Sequence, residues 1–470
     1  QLILFYEMQA DVKLFDSRAA VAFYSCAYTV ILQRGFANIY KKMQLIEELR
    51  WRGMIQDITP GTEEYLNNNK VSGYVGFDPT AASLGIGNLV PVMLLLHFQR
   101  HGHHPIALVG GATGRIGDPS GKSDERKMLS EEELDRNLAK MQLQLGRFLD
   151  FDSTTNPARL VNNYDWFKGY GFLDFLRDVG KHLTVNYMLS KDSVKNRIDA
   201  GTGISFTEFS YQLIQGYDFL HLHQNENCHI QFGGSDQFGN ITAGMELVRR
   251  ILGHQEEVYA FTCPLITKAD GTKFGKSEKG NIFLDAELTS PYEFYQFWIN
   301  NSDEDIVKLA KIFSLKPISE IQALIDAMAT QTKVLQYALA EEMTERIHGQ
   351  AQLDIAKRAT ALLHGKGGIE DLKGLDLQTI STILQGVGQG SVTQEAIAAG
   401  MPVIDFLAES GACSSRGDAR RKLLADKCVA INTVGTTDET RMITSEDLIH
   451  DKLVLINLGK RNRYVVYVQD

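Results

Sequence analysis

The chain has 470 residues, of which 44% are hydrophobic and 23% are charged; this composition is typical of a globular protein and excludes a collagen-like, disulfide-rich or disordered chain. Lys and Arg number 48 against 58 Asp and Glu, a formal charge of −10, which excludes a basic surface over the whole molecule and favours no DNA partner. The five cysteines form no CxxC pair, which predicts reduced thiols, no metal site and a cytoplasmic location.

Residues 1–42 are predicted to be an extension outside the working protein. Its most apolar run, 19–32, is shorter than the ~18 residues of a membrane-spanning helix. Acidic Glu7, Asp11 and Asp16 occupy the region in which a secretory signal carries basic residues. We therefore expect no membrane partner.

Strand and helix patterns alternate from about residue 70 to about residue 270. The periods of the apolar residues predict helices over Gln44–Met54 and Leu89–Arg100, and strands over Val71–Phe77, Pro105–Val109 and Cys228–Phe232. A strand, a helix and a strand in succession imply a parallel sheet that binds ligands at the carboxyl ends of its strands. The predicted fold class is therefore α/β, with a Rossmann-like catalytic domain over 43–285.

Beyond residue 285 the pattern is helical and then changes again. Ser290 and Ser302 are predicted helix caps, so that 286–384 would form an α-helical domain. The Gly- and Gln-rich stretch that follows predicts a linker over 385–400. A small α+β domain, 401–470, completes the chain, and its last two apolar runs predict a β-hairpin. Its last sixty residues hold ten Lys and Arg against eight Asp and Glu, which makes this unit positive on an acidic chain.

Two glycine-rich loops follow the first two predicted strands. The first runs from Gly76 to Asn88, the predicted N-cap of a helix whose free N–H groups make an anion site. It is not a dinucleotide fingerprint, because the sixth position of GxGxxG is Val90. The second loop, Gly110–Lys122, lacks the four-residue spacing of a P-loop. An ordinary connection and a flexible surface loop are the alternative interpretations.

Two further segments carry polar groups suited to a nucleotide. Gly233–Asn240 places the carboxylate of Asp236 and the amide of Gln237 after a strand, and Lys268–Ser277 carries lysines and hydroxyls on a glycine-hinged loop. Together with the earlier loops they predict a polyphosphate ligand. Solvated, inert lysines are the alternative for the second segment.

These motifs carry a family resemblance. Gly76–Asn88 resembles the HIGH region of class I aminoacyl-tRNA synthetases, and Lys273–Ser277 resembles their KMSKS loop. Further sequences are similar to those of bacterial tyrosyl-tRNA synthetases: Asn162–Trp166, Ile204–Tyr211, Gly233–Asn240 and Ser290–Ile299. The resemblance is dense over residues 43–350. It returns in 411–470, which is similar to a small RNA-binding fold of a ribosomal protein and of pseudouridine synthases.

The resemblance implies a tyrosine–tRNA ligase, which activates L-tyrosine with ATP and transfers it to the 3′ end of tRNA(Tyr). Carried over residue by residue, it implies that Tyr74 and Asp218 contact the phenolic hydroxyl and that Tyr211, Gln215 and Asp118 contact the amino group. The other implied tyrosine-binding residues are Asp78, Thr113, Asn163 and Gln231. Core aromatic residues with satisfied hydroxyls are the alternative for Tyr74 and Tyr211.

The resemblance also implies the remaining partners. ATP, with Mg²⁺ as part of the substrate complex, would contact Gly76, Gly87, Asn88, Gly234, Asp236 and Lys276. The residues expected to act on the reacting groups are Thr80, Lys122, Arg126, Gln237, Lys273, Lys276 and Ser277. The residues expected to contact tRNA are Arg416, Arg420, Arg421, Lys422, Lys460, Arg461 and Arg463. The family forms homodimers, so we expect a homodimer, and no resident metal is implied.

The HIGH-like motif departs from the family pattern at two positions. Gly85 stands where the first His is expected, and Asn88 stands where the last is expected. Gly85 removes a side chain expected near the transferring phosphates, which predicts slowed adenylation. The alternative function is an adenylation-deficient homologue that binds tRNA or another RNA. A dinucleotide-dependent oxidoreductase is disfavoured, because no complete fingerprint with an acidic ribose anchor is present.

Overall fold

The structure is a computed structural model that describes residues 43–120, 129–201, 203–269, 271, 274–277, 280–364, 377, 380–381, 387–459 and 462–469. Residues 49–470 belong to one compact unit, and of the other unit, 1–48, the structure describes Met43–Glu48. The predicted extension 1–42 lies outside the described residues, as do Lys122, Arg126, Lys273, Lys460 and Arg461.

The described helices and strands alternate through the first half of the chain. The helices are α1 Leu45–Trp51, α2 Thr62–Asn68, α3 Leu89–Arg100, α4 Glu131–Leu145, α5 Tyr164–Phe167, α6 Phe172–Asp178, α7 Val185–Leu189, α8 Asp192–Asp199, α9 Phe206–Glu226, α10 Phe238–Leu252, α11 Pro291–Ile299, α12 Asp303–Phe313, α13 Ile318–Ala327, α14 Val334–His348, α15 Gln350–His364, α16 Gln394–Ala398, α17 Val403–Glu409 and α18 Arg416–Arg420. The strands are β1 Ser72–Phe77, β2 His104–Val109, β3 Arg159–Asn162, β4 Cys228–Gly234, β5 Tyr259–Cys263, β6 Lys276–Ser277, β7 Gly280–Asn281, β8 Gly388–Thr393, β9 Met401–Pro402, β10 Val429–Ile431, β11 Val434–Gly435, β12 Met442–Ile443, β13 Leu453–Leu458 and β14 Asn462–Gln469.

A five-stranded sheet in the order β3-β2-β1-β4-β5 forms the centre of the first half, and every neighbouring pair is parallel. The predicted α/β class with a Rossmann-like sheet is confirmed. Helix α3 coincides with its predicted range and is buried almost throughout, because it packs against β1, β2 and β4. The strand order changes direction at β1 and β4, and a ligand site is expected where their carboxyl ends diverge.

The helical region that follows begins at two caps that the sequence predicts. The Ser290 hydroxyl accepts from the N–H of Glu293, with Pro291 at the first helical position, and the Ser302 hydroxyl accepts from the N–H of Asp305. Helix α11 then packs against α14 and α15. Across the described residues, no helix combines the length and the apolar character needed to cross a membrane.

A second sheet, in the order β11-β10-β13-β14-β8, occupies the C-terminal region. Its antiparallel pair β13–β14 confirms the predicted hairpin. Strand β8 pairs in parallel with β14, so the predicted linker 385–400 contains a strand and the short helix α16. Gly390 permits a close approach there, because a Cβ on it would lie 1.8 Å from the carbonyl oxygen of Ser410. The domain boundaries themselves stay predictions.

Candidate active site

A cavity of about 280 Å³ opens at the carboxyl ends of β1 and β4. Its walls come from β1 and the following loop, from the loop after β2, from α9, and from β4 with the start of α10. Fifteen residues that the sequence predicts as site residues line it: Tyr74, Gly76, Asp78, Thr80, Gly87, Asn88, Thr113, Asp118, Tyr211, Gln215, Asp218, Gln231, Gly234, Asp236 and Gln237. The fold therefore gathers into one cavity residues that lie up to 163 positions apart in the chain.

Tyr74 and Asp218 are buried polar side chains in the cavity wall, each about 1% exposed. The Tyr74 hydroxyl has no hydrogen-bond partner among the described residues. The Asp218 carboxylate accepts from Trp166 Nε1 at 2.9 Å and from Asn163 Nδ2 at 3.1 Å. Burial raises the pKa of Asp218 to about 8, although these two donors oppose the shift. Burial, and then the nearby Asp218, hold the pKa of Tyr74 well above its usual value.

A chain of hydrogen bonds connects Asp218 to the other side of the cavity. Asn163 Nδ2 also donates to the hydroxyl of Thr113 at 3.1 Å, and Thr113 in turn donates to Asp78 at 2.6 Å. The second oxygen of Asp78 accepts from the Tyr211 hydroxyl at 2.9 Å. Asn163 is completely buried behind this chain and does not line the cavity. Its position indicates that it orients Asp218 and Thr113.

The hydrogen bond between Asp78 and Thr113 requires a glycine at position 110, where the loop after β2 begins. A Cβ on Gly110 would lie 2.1 Å from an Asp78 oxygen and 2.3 Å from the Thr113 hydroxyl. Both distances are far inside van der Waals contact, so a side chain at this position would separate Asp78 from Thr113. The glycine-rich loop after β2 therefore contributes a glycine that this network requires, and Thr113 and Asp118 of the same loop line the cavity.

Acidic and amide side chains line the side of the cavity formed by the start of α10. Gln237 Nε2 donates to Asp118 at 2.7 Å, and the other Asp118 oxygen accepts from the N–H of Ser120 at 2.9 Å. Burial and the neighbouring Asp118 raise the pKa of Asp236. The buried amide oxygens of Gln215 and Gln231 have no partner among the described residues. This wall offers acceptors to a cationic or polyhydroxyl ligand.

The HIGH-like turn leads from the cavity into α3. The Asn88 side chain accepts from the N–H of Gly85 at 3.0 Å and does not cap α3, which differs from the predicted cap. Gly87 and Asn88 line the cavity, whereas Gly85 does not. Gly85 has an extended backbone, and a Cβ at this position would have Ile282 O at 3.4 Å and Asn88 Oδ1 at 3.5 Å as its nearest neighbours. The turn therefore has space for a side chain at position 85.

The lysine-rich loop is described in part. Lys276 and Ser277 form β6, which pairs with β7, while Lys273 lies outside the described residues together with Lys122 and Arg126. Phe274 is 7% exposed and contacts Phe297 and Trp298. Phe274, which lies between two lysines of the loop in the sequence, thus packs the loop against α11.

The predicted RNA-contacting cations that the structure describes, Arg416, Arg420, Arg421, Lys422 and Arg463, do not line the cavity. Arg416, Arg420 and Arg421 are about two-thirds exposed on α18 and the helical turns that follow it. Each forms an ion pair, to Asp405, Glu439 and Asp418 respectively, and Lys422 also pairs with Asp418. Arg463 on β14 is partly buried, which lowers its pKa. Lys460 and Arg461 lie outside the described residues.

Trp166 is a site residue that the sequence analysis did not assign. Its indole orients Asp218 and stacks on His221 with ring centroids 4.4 Å apart. Trp166 ends the motif Asn162–Trp166, and this position is the one feature of the sequence that could have identified it as a site residue. Among the described residues, no group of three or more His, Cys, Asp or Glu could hold a metal ion.

Two family models match most of the chain. The model described as tRNA synthetases class I (W and Y) matches residues 66–365. The model described as Tyrosine--tRNA ligase SYY-like C-terminal domain matches residues 380–466. The first range contains the whole cavity, and the second contains the C-terminal sheet.

Similar proteins and structures agree with these matches. Tyrosine--tRNA ligases of Flavobacterium psychrophilum and Porphyromonas gingivalis are each 52% identical to this chain, over 90% and 91% of its length and 99% and 100% of theirs. A C-terminally truncated mitochondrial tyrosyl-tRNA synthetase of Aspergillus nidulans is 31% identical, with a TM-score of 0.61 over 68% of this chain and 94% of that one. The corresponding structure from Coccidioides posadasii is 29% identical, with a TM-score of 0.60 over 72% and 98%.

Proposed function

Because this chain belongs to the tyrosyl-tRNA synthetases of the class I tRNA synthetase family, and is thus a tyrosine–tRNA ligase, we propose that its cavity joins L-tyrosine and ATP as tyrosyl-adenylate and passes the tyrosine to the 3′ end of tRNA(Tyr). One observation carries the proposal. The unpartnered hydroxyl of Tyr74 and the carboxyl group of Asp218 are buried in the wall of the cavity, where the phenol of a tyrosine would supply the partner that Tyr74 lacks.

Tyr74 and Asp218 together select tyrosine through the phenolic hydroxyl of the substrate. The phenol donates to Asp218 and accepts from Tyr74. Phenylalanine would leave the Tyr74 hydroxyl without a partner and would deprive the buried Asp218 of the donor that the phenol supplies, and each lost interaction costs about 1–3 kcal/mol. The donors Trp166 and Asn163 hold the Asp218 oxygens in place, so little reorganisation accompanies binding.

The amino acid backbone of tyrosine binds between α9 and the start of α10. Its ammonium group donates to Tyr211, Gln215 and Asp118, whose oxygens line the cavity. The Gln237 amide binds the reacting carboxylate. Asp78, Thr113 and Gln231 complete the tyrosine pocket, and Asn163 acts through Asp218 and Thr113.

ATP enters as its Mg²⁺ complex and occupies the side of the cavity near the HIGH-like turn. Gly76, Gly87 and Gly234 allow its close approach to the backbone, and the amide of Asn88 lies where α3 begins. The carboxylate of Asp236 accepts from a ribose hydroxyl. Thr80 meets the phosphates together with the loop residues Lys122, Arg126, Lys273, Lys276 and Ser277.

The chemistry needs positioning and charge stabilisation. A carboxylate oxygen of tyrosine attacks the α-phosphorus, the bond to the bridging oxygen breaks, and pyrophosphate leaves with that electron pair. A terminal ribose hydroxyl of the tRNA then attacks the adenylate carbonyl, loses its proton to solvent, and displaces AMP. No protein group forms a bond to the substrate. The contribution of the enzyme is the orientation of the reactants and the cations that meet the growing negative charge.

Gly85 slows the first step. Charge grows on the leaving pyrophosphate, so a donor aimed at it stabilises the transition state more than the bound substrate. The N–H of Gly85 is directed to Asn88 Oδ1 and Gly85 has no side chain. The loss of one such donor typically lowers a rate by about 10²–10³. The tyrosine pocket is unaffected, so tyrosine affinity stays normal.

The remaining partners follow from the rest of the chain. The cations at Arg416, Arg420, Arg421, Lys422, Lys460, Arg461 and Arg463 contact the phosphates of tRNA(Tyr). A homodimer is supported by apolar side chains that are exposed within one stretch of chain: Phe172, Leu173, Val185, Leu189, Ile198 and Phe206. The enzyme acts in the cytoplasm.

Tyrosine-dependent exchange of labelled pyrophosphate into ATP tests the adenylation step, and charging of tRNA(Tyr) with labelled tyrosine tests the transfer. The proposal expects both activities. The second candidate, a homologue that retains RNA binding without adenylation, is favoured by Gly85 alone; it expects tRNA binding with no exchange. Exchange that responds to tryptophan or phenylalanine in place of tyrosine would contradict the assignment of the pocket.

A further inference from the structure

A buried ion pair lies on the helix that carries the tyrosine pocket, outside the cavity. The guanidinium of Arg197 on α8 donates through Nη1 and Nη2 to the two oxygens of Glu208 on α9, at 3.3 and 3.2 Å. The side chains are 7% and 2% exposed. Arg197 Nε also donates to the carbonyl oxygen of Gly203 at 3.0 Å, so one side chain fixes both the loop before α9 and its first turn.

Glu208 shares a helix face with the pocket residues. Tyr211, Gln215 and Asp218 follow it at spacings of three, seven and ten residues, which place all four on one side of a helix with 3.6 residues per turn. Tyr211 lies one turn further along from Glu208. A displacement of the first turn of α9 would therefore move the Tyr211 hydroxyl away from Asp78, to which it donates at 2.9 Å.

The ion pair also keeps a further carboxylate, that of Glu208, out of the cavity. Glu208 is buried on the pocket side of α9, yet it does not line the cavity, and both of its oxygens are engaged by Arg197. Its remaining contact orders the helix start, because its N–H donates to the Ser205 hydroxyl at 3.2 Å. A buried carboxylate without such a partner is strongly unfavourable, so the bidentate geometry defines one position of α9 relative to α8.

We propose that the Arg197–Glu208 ion pair is a positioning element of the tyrosine pocket, which sets the first turn of α9 and through it the groups that bind the tyrosine ammonium. This inference rests on the proposed function of the cavity. Neither residue touches substrate. The pair therefore affects the binding of tyrosine and leaves the binding of ATP and the chemical step nearly unchanged.

The experiment compares Arg197→Lys, Arg197→Met and the double change Arg197→Met with Glu208→Leu. The Kd of tyrosine is measured by calorimetry, and pyrophosphate exchange gives kcat and the KM values of both substrates. The thermal unfolding midpoint is recorded for each. Replacement of a buried pair by apolar residues is often neutral for stability, so the double variant is expected to fold with a midpoint near that of the wild type. Glu342→Gln on α14, whose carboxylate pairs with Arg346 at 2.6 Å, is the control for loss of a partly buried ion pair far from α9.

We expect Arg197→Met to raise the Kd and KM of tyrosine at least tenfold, with the KM of ATP and kcat within twofold of wild type, and Arg197→Lys to lie between. The double variant should have an unfolding midpoint near that of the wild type, while its Kd for tyrosine stays high because the Arg197–Glu208 ion pair is still absent. The control should lower the midpoint and leave tyrosine binding unchanged.

Recovery of tyrosine binding together with stability in the double variant would overturn the inference, since the pair would then be structural only. Equal increases in the KM of tyrosine and ATP would overturn it as well. If the wild-type enzyme binds tyrosine and catalyses tyrosine-dependent pyrophosphate exchange, and the variants bind tyrosine equally well, this inference alone is overturned. Wild-type enzyme without tyrosine-dependent exchange would overturn the proposed function and this inference together.

Discussion

Burial of Asp218, the proposed partner of the tyrosine hydroxyl, lowers the stability of the empty protein by an amount that depends on pH. The carboxyl has an ordinary pKa near 3.8, and burial raises it to about 8 in the fold. Between these values the folded state holds a proton that the unfolded state has released. Stability from this group is thus fully present below the ordinary pKa, falls as the pH rises through the window, and is lost above about pH 8.

The substitution Asp218→Asn removes this dependence. One pKa unit corresponds to about 1.36 kcal/mol, so the free energy of unfolding of the wild type relative to the variant falls by about 3 kcal/mol between pH 5 and pH 7. Trp166 and Asn163 donate to different oxygens of Asp218, so in the variant one of these two donors faces the amide nitrogen of the new asparagine. This mismatch costs the variant about 1–3 kcal/mol at every pH. We therefore expect the two proteins to be nearly equal near pH 5 and the variant to be more stable at pH 8.

Thermal unfolding of the ligand-free proteins at pH 5, 7 and 8 measures the effect. Between pH 5 and pH 8 the free energy of unfolding of the wild type relative to the variant falls by about 4 kcal/mol. An unfolding entropy of about 2.1 cal/mol/K per residue corresponds to about 1 °C per kcal/mol for this chain, so the midpoint of the variant should gain ~4 °C on the wild type over this range, while tyrosine binding is lost. The control Asp178→Asn removes an exposed carboxyl whose pKa Arg177 lowers, and it should show no such gain. A difference between Asp218→Asn and the wild type that is independent of pH would refute the reasoning.

Three further predictions follow from the site and the C-terminal sheet. Tyr74→Phe removes one neutral partner of the phenol and should weaken tyrosine binding by about 0.5–1.5 kcal/mol, measured as Kd; an unchanged Kd would mean that this hydroxyl does not contact the substrate. Gly85→His, whose Cβ the turn can accommodate, should raise the single-turnover rate of adenylate formation at least tenfold with little change in the Kd of tyrosine, and an unchanged or lower rate would contradict the proposed role of the position. Arg420→Ala combined with Arg421→Ala should leave pyrophosphate exchange intact, weaken tRNA charging and reduce the salt dependence of tRNA binding by about two phosphate contacts; unaltered charging at physiological salt would remove these residues from the interface.

Elements with a strong local pattern could be predicted from the sequence. Helix α3 has the predicted bounds because its apolar residues, its start after a turn and the glycine at its end all agree. The hairpin β13–β14 and the caps at Ser290 and Ser302 depend on neighbouring residues in the same way. The residues of the cavity could be assigned because long motifs resemble those of a family; their periodicity alone does not bring Tyr74 and Asp218 together.

Features that depend on distant partners could not be predicted. Strand β8 has the composition of a linker, and its glycines are required by contacts with β14 and Ser410 that lie far along the chain. The Arg197–Glu208 pair crosses a loop between two helices, where no helical spacing indicates a contact. Trp166 and Asn163 meet Asp218 only after β3 and α9 have packed. In each case the determining interaction is tertiary.

The ratio of kcat/KM for tyrosine to that for phenylalanine in pyrophosphate exchange tests the central claim most directly, because the two substrates differ only in the hydroxyl. Phenylalanine leaves the Tyr74 hydroxyl unpartnered and the buried Asp218 without the donor of the phenol, and these two losses at about 2 kcal/mol each predict a ratio of about 10³. A ratio below ten in the wild-type enzyme would show that Tyr74 and Asp218 do not recognise the phenolic hydroxyl, and it would contradict the account of the cavity.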